Sequence, residues 1–199
     1  MKPSFHVGLL ALLVLPVLAA ARPDAVDACV ECHGADGMGK GDPMVPVLAG
    51  IPAGHIEEAI FAYVDGARRC VREPRMCETV AELDEDTIFD IADYYGAKER
   101  QALDQTYDEE LASQGAALHR SHCGACHARP DSDDAQWAVG IPLHGQRREY
   151  LRFAIEAYLA GDREALLPAM AHELAELEPG DIGALVNYYA SYRPAGAAE

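Results

Sequence analysis

Cys29-Val30-Glu31-Cys32-His33 returns 94 residues later as Cys123-Gly124-Ala125-Cys126-His127, and this repeated pentapeptide decides how the rest of the chain is read. The similarity runs outward from both copies. Ala59-Ile60-Phe61-Ala62-Tyr63, with Gly66 and Arg68, recurs at an offset of 95 as Ala154-Ile155-Glu156-Ala157-Tyr158, with Gly161 and Arg163. Leu83, Ile88 and Tyr94-Tyr95 recur at 94 as Leu177, Ile182 and Tyr188-Tyr189. Self-similarity at a fixed period marks a duplicated structural unit. The chain therefore reads as two tandem modules that differ by one small insertion and one small deletion.

Both modules read as all-α. Ile56, Ala59, Ile60, Tyr63 and Val64 follow the i, i+3, i+4, i+7, i+8 spacing of a buried helical stripe; Ile88, Ile91, Ala92 and Tyr95 do so again, and Ile182, Leu185, Val186 and Tyr189 match them in the second half. Leu111, Gly115 and Leu118 mark one face of a helix ahead of the second pentapeptide, whereas the first has room for only a short opening helix. Glycine and proline gather at 34–46 and 130–142, where nothing alternates like a strand. The expected plan of each module is helix, loop, helix, loop, helix. The expected boundaries are 1–21, a signal peptide; 22–98, the first module; 99–108, a polar linker; and 109–195, the second module.

The first boundary rests on Lys2 followed by the apolar run Val7 to Leu18 and by Ala19-Ala20-Ala21, the three parts of a secretory signal. The run is shorter than the roughly 20 residues a bilayer requires, and no later segment is long and apolar enough. The mature chain is expected to begin near Arg22, in the periplasm, where disulfides persist. The 199 residues carry 33 Asp and Glu against 16 Lys and Arg, a net charge of −17; without Lys2 of the expected signal the remainder stands at −18, shared evenly as −9 in 22–100 and −9 in 101–199. With three lysines and no dense basic patch, nucleic-acid binding is excluded. The acidic surface favours a basic partner.

In an exported chain, Cys-x-x-Cys-His reads as a c-type haem attachment site. Cys29 with Cys32, and Cys123 with Cys126, would add to the two vinyl groups of a haem, and His33 and His127 would be the proximal iron ligands. A thioredoxin-like dithiol needs a βαβ pattern that is missing, and a four-sulfur zinc site would need the two pairs to converge. His33 to Met76 and His127 to Met170 are both 43 residues, which makes the two methionines the expected sixth ligands. A thioether opposite the histidine closes the iron and raises its potential, as electron transfer requires. The other histidines, His55, His119, His122, His144 and His172, read as exposed or structural, with His172 the substitute ligand should Met170 not serve.

Cys70 and Cys77 have no equivalents in the second half. Their simplest reading is a disulfide beside Met76, with free thiols or a sulfur-rich copper site as the alternatives. Arg68, Arg69, Arg72 and Arg75 form a basic cluster, either a solvated helix end or partners for haem propionates and acidic neighbours. Gly34, Gly37, Gly39 and Gly41 follow no strand and so do not make a nucleotide loop. Nothing in the chain reads as catalytic.

These residues together resemble the periplasmic dihaem class I cytochromes c, in particular the cytochrome c-four group and the haem subunit of flavocytochrome c sulfide dehydrogenase. The likeness is carried by Cys29 to Gly34 with Asp36-Gly37, by Leu48-Ala49-Gly50, and by Met76 ahead of Leu83 to Tyr95. In the second half it is carried by Cys123 to His127, Leu143 to Gln146 with Tyr150-Leu151, Met170, and Leu177 to Tyr189. Ala128 after the second motif, the acids between Asp131 and Asp134, and the short opening helix look more like the dehydrogenase subunit. The resemblance implies two covalently bound haem c groups and a carrier of single electrons between redox proteins, a flavoprotein subunit or a terminal oxidase among them.

Overall fold

The computed structural model describes residues 22–71 and 74–193. The expected signal peptide, Arg72 and the last residues of the second module lie outside them. Among the described residues eight α-helices follow one another: α1 Asp27–His33, α2 Ala53–Val64, α3 Arg75–Val80, α4 Glu85–Gly96, α5 Glu109–Leu118, α6 Arg148–Leu159, α7 Pro168–Ala175 and α8 Asp181–Ala190. Single 3-10 turns precede α1 at Asp24–Val26 and occupy Ala135–Trp137, and α5 runs on into a π-helical segment, His119–Cys123. The opening helix of the first module is indeed short. Each module has four helices where the periodicity predicts three, because Met76 and Met170 sit on the short helices α3 and α7 and not in loops.

Within each module the last helix is the hub. In the first, α2 packs on α4, and Ile56, Ile60, Ile88, Ile91 and Tyr95 are buried with Val26 in one apolar cluster. In the second, α5 and α6 both pack on α8, burying Leu151, Leu185, Val186 and Tyr189. The crossing of α5 and α8 is close enough to require glycine: a Cβ on Gly115 would lie 2.1 Å from the Ala184 carbonyl oxygen. Asp84 and Asp108 cap α4 and α5, accepting from the amides of Thr87 and Leu111, which satisfies amides that a helix start leaves without partners.

The modules meet through their own repeated residues. Arg68 and Arg163 form an isolated antiparallel bridge, flanked by Arg69 N–H to Asp162 O at 2.7 Å and Glu164 N–H to Ala67 O at 2.8 Å. Each donor is the repeat equivalent of the other, and so is each acceptor, as an approximate two-fold axis demands. The guanidinium of Arg69 also reaches the Gly161 carbonyl and the Asp162 carboxylate, so in this arginine the basic cluster partners an acidic neighbour. The segment 99–108 is free of helix yet fixed: Arg100 donates to Ala49 O and His144 O, each at 2.8 Å, and Gln105 donates to Gln146 O at 3.0 Å. Leu103 joins Met38, Val47 and Ala49 in a small apolar cluster.

Candidate functional site

In the first module, α1 ends at His33, and Gly34 turns the chain away at φ 75°. A Cβ there would sit 2.6 Å from Asp36 Oδ1. The loop then folds back, with Gly39 N–H to His33 O at 2.7 Å and Lys40 N–H to Cys32 O at 3.1 Å, closing carbonyls the helix end would leave bare. Cys29 and Cys32 are free, half-buried thiols, and burial pushes the Cys29 thiol up. His33 is buried, and its Nδ1 lies 3.1 Å from the Pro46 carbonyl. A carbonyl can only accept, so the proton resides on Nδ1 and the Nε2 lone pair is free for a metal. Burial lowers the His33 pKa, against the opposing pull of that hydrogen bond, which keeps the ring neutral. Cys29, Cys32, His33 and Met76 line one cleft, walled by Ile51, Ile60, Val80 and Ile91. Cys70 and Cys77 are bonded, which ties the start of α3, and Met76 with it, to the chain following α2.

The second module repeats this arrangement. His127 Nδ1 lies 2.8 Å from the Ile141 carbonyl, which fixes the same tautomer, and burial again lowers its pKa. Cys123 and Cys126 are free and half-buried. Met170 is half-buried on α7, a helix that packs on α6 and on the π-helical segment. His122 in that segment meets Glu173 of α7 at 2.8 Å. The first cleft thus brings all four expected residues together, while in the second module the helix of Met170 is held against the segment that ends in Cys123. Among the described residues, no three His, Cys, Asp or Glu side chains converge to hold a metal, so a four-sulfur zinc site is not built. A neutral, tautomer-fixed imidazole beside paired thiols in an apolar cleft fits haem c, whose porphyrin brings the equatorial nitrogens itself.

The remaining histidines divide. His172 is exposed. His119 and His144 are buried with rings 4.9 Å apart, bonded to the hydroxyls of Tyr189 and Tyr188 at 3.1 and 3.3 Å. Each is thereby held within the packing of the second module. The carbonyls of Pro46 and Ile141 escape that reading, although a signal exists: each lies two residues before a repeated leucine, Leu48 or Leu143.

Comparison with known proteins agrees with this geometry. The family model described as cytochrome c matches residues 24–94. Cytochrome c-554(548) of Halomonas halodenitrificans is 41% identical over 81 residues, 41% of this chain and 96% of that protein. A thiosulfate dehydrogenase electron acceptor of Thiomonas intermedia is 40% identical over 174 residues, 80% of this chain and 76% of that one. Among solved structures, cytochrome c4 of Acidithiobacillus ferrooxidans superposes with a TM-score of 0.71 at 25% identity, covering 84% of this chain and 99% of that one. Thiosulfate dehydrogenase (TsdBA) from Marichromatium purpuratum superposes with a TM-score of 0.66 at 27% identity, covering 83% of this chain but 36% of that one, so the chain spans about a third of that protein. The chain belongs to the cytochrome c family. It is a dihaem class I cytochrome of the c4 type, an electron carrier built from tandem cytochrome c domains with covalently bound haem c.

Proposed function

We propose that this protein is a periplasmic carrier that takes electrons one at a time from a sulfur-compound dehydrogenase acting on thiosulfate and passes them to a second redox protein. In this reading residues 1–21 are the export signal, 22–98 and 109–195 the two haem domains, and 99–108 the linker. Cys29, Cys32, Cys123 and Cys126 hold the haems by adding their S–H bonds across the vinyl groups. His33 and His127 are the proximal ligands, and Met76 and Met170 the distal ones. The observation that carries the reading is the pair of neutral imidazoles, each with its Nδ1 proton given to a backbone carbonyl, at 3.1 and 2.8 Å. Bound haem supplies the one-electron couple; the chain supplies its attachment, its axial ligands and an apolar surround that keeps water away. A dehydrogenase removes electrons in pairs, and two haems take one each. In this reading the dehydrogenase is a separate polypeptide.

This choice of donor is supported by the Thiomonas intermedia relative, named a thiosulfate dehydrogenase electron acceptor. The test is optical. Thiosulfate with a thiosulfate dehydrogenase should reduce both haems of the pure protein, and thiosulfate alone should not. Reduction only by sulfide with a co-purifying flavoprotein would replace this donor with the flavocytochrome alternative. In Met76→Ala and Met170→Ala, each variant should lose about half of the thioether-to-iron absorption and bind carbon monoxide at one haem; an untouched protein that binds carbon monoxide when reduced would contradict the distal assignment.

A further inference from the structure

The two modules treat their axial histidines differently. His33 gives its Nδ1 proton to the carbonyl of the Pro46–Val47 amide. The N–H of that same amide belongs to Val47, and it donates to Gln146 Oε1 of the other module at 2.8 Å. Gln146 is held for this contact: its Nε2 donates to Val47 O at 2.9 Å, its Oε1 also accepts from Arg147 N–H at 2.9 Å, and it is 3% exposed. A hydrogen-bonded chain therefore runs from the first imidazole, through one amide, into the second module. The equivalent carbonyl in the second module belongs to the Ile141–Pro142 amide. Proline has no N–H, so the corresponding chain stops there.

We propose that Gln146 is a cross-module positioning residue for the first haem: by accepting the Val47 N–H it polarises the Pro46–Val47 amide, draws more of the His33 proton, and lowers the reduction potential of that haem relative to the second. Linked hydrogen bonds strengthen one another, and a firmer hold on the Nδ1 proton makes the imidazole a better donor to the metal. A more basic ligand favours the oxidised iron. The effect is confined to the first haem because proline interrupts the second chain.

The inference rests on His33 being an axial ligand, and the experiment separates the two. In the haem-loaded protein, the potentials of the two haems are titrated separately by the nuclear magnetic resonance of their methyl groups, with haem content measured alongside. Gln146→Leu removes the acceptor and should raise the first potential, leaving the second in place. Gln146→Glu offers a stronger acceptor at neutral pH and should lower the first. A first potential that does not move, both haems shifting together, or both variants shifting it in the same direction would overturn the proposal. In the unaltered protein, a scalar coupling across the hydrogen bond should join the Val47 nitrogen to the Gln146 side-chain carbonyl carbon; its absence overturns the proposal even if the variants do not fold. A haem count other than two would instead overturn the site on which it stands.

Discussion

His119 and His144 are buried with their rings 4.9 Å apart, a placement that only uncharged imidazoles tolerate. Burial first, and then the charge of His127 on His119 and of His119 on His144, pulls the pKa of His119 down to about 4 and that of His144 to about 3. Unfolded, both would titrate near 6.5. Between that value and the folded values the unfolded chain binds protons that the native chain refuses, so stability is fully present above pH 6.5 and declines as the pH falls toward 3. Each such proton contributes a slope of about 1.4 kcal/mol per pH unit. The denaturation midpoint of the second module should therefore be lower at pH 5 than at pH 7, and His144→Phe should flatten that dependence. An equal midpoint at both pH values would contradict the buried, neutral pair.

At the scale of elements, the crossing of α5 on α8 sets two preferences against each other. Alanine in place of Gly115 would favour the helix by about 1 kcal/mol. Its Cβ, however, would lie 2.1 Å from Ala184 O and 2.8 Å from the Tyr188 Cβ, and overpacking of this kind costs typically 1–3 kcal/mol. With backbone as the obstacle the clash should win, and Gly115→Ala should lower the denaturation midpoint of the second module; a stabilised variant would show that the helices do not approach this closely. Gly115 was legible as part of a helix face, since Leu111 and Leu118 frame it. The helices that carry the methionines were harder to see. Arg75–Val80 has only six residues, too few to show an apolar period, and such helices owe their existence to packing. The prolines that open them, Pro74 ahead of α3 and Pro168 at the start of α7, were the local signals available.

At the scale of the molecule, the duplication, the two Cys-x-x-Cys-His sites and the matched intervals to methionine could all be read from residue identities, because covalent attachment demands fixed residue types at fixed spacing. The interface could not. Its bridge joins Arg68 to Arg163, and many of its other bonds end on backbone groups, such as Arg69 N–H to Asp162 O and the Gln146 amide to Val47, which any residue could supply. Pairing of repeat equivalents is nonetheless what a duplicated gene product does when its halves close on each other. The even charge of −9 in 22–100 and in 101–199 gives both modules an acidic balance, which favours a basic partner. The proposed electron transfer depends on each module holding one haem through its cysteine pair. Mass measurement of the mature, unfolded protein tests this most directly: the account predicts the polypeptide from near Arg22 plus two covalently retained haems, one lost in Cys29→Ala/Cys32→Ala and the other in Cys123→Ala/Cys126→Ala. A mature chain that retains one haem, or none, would contradict it.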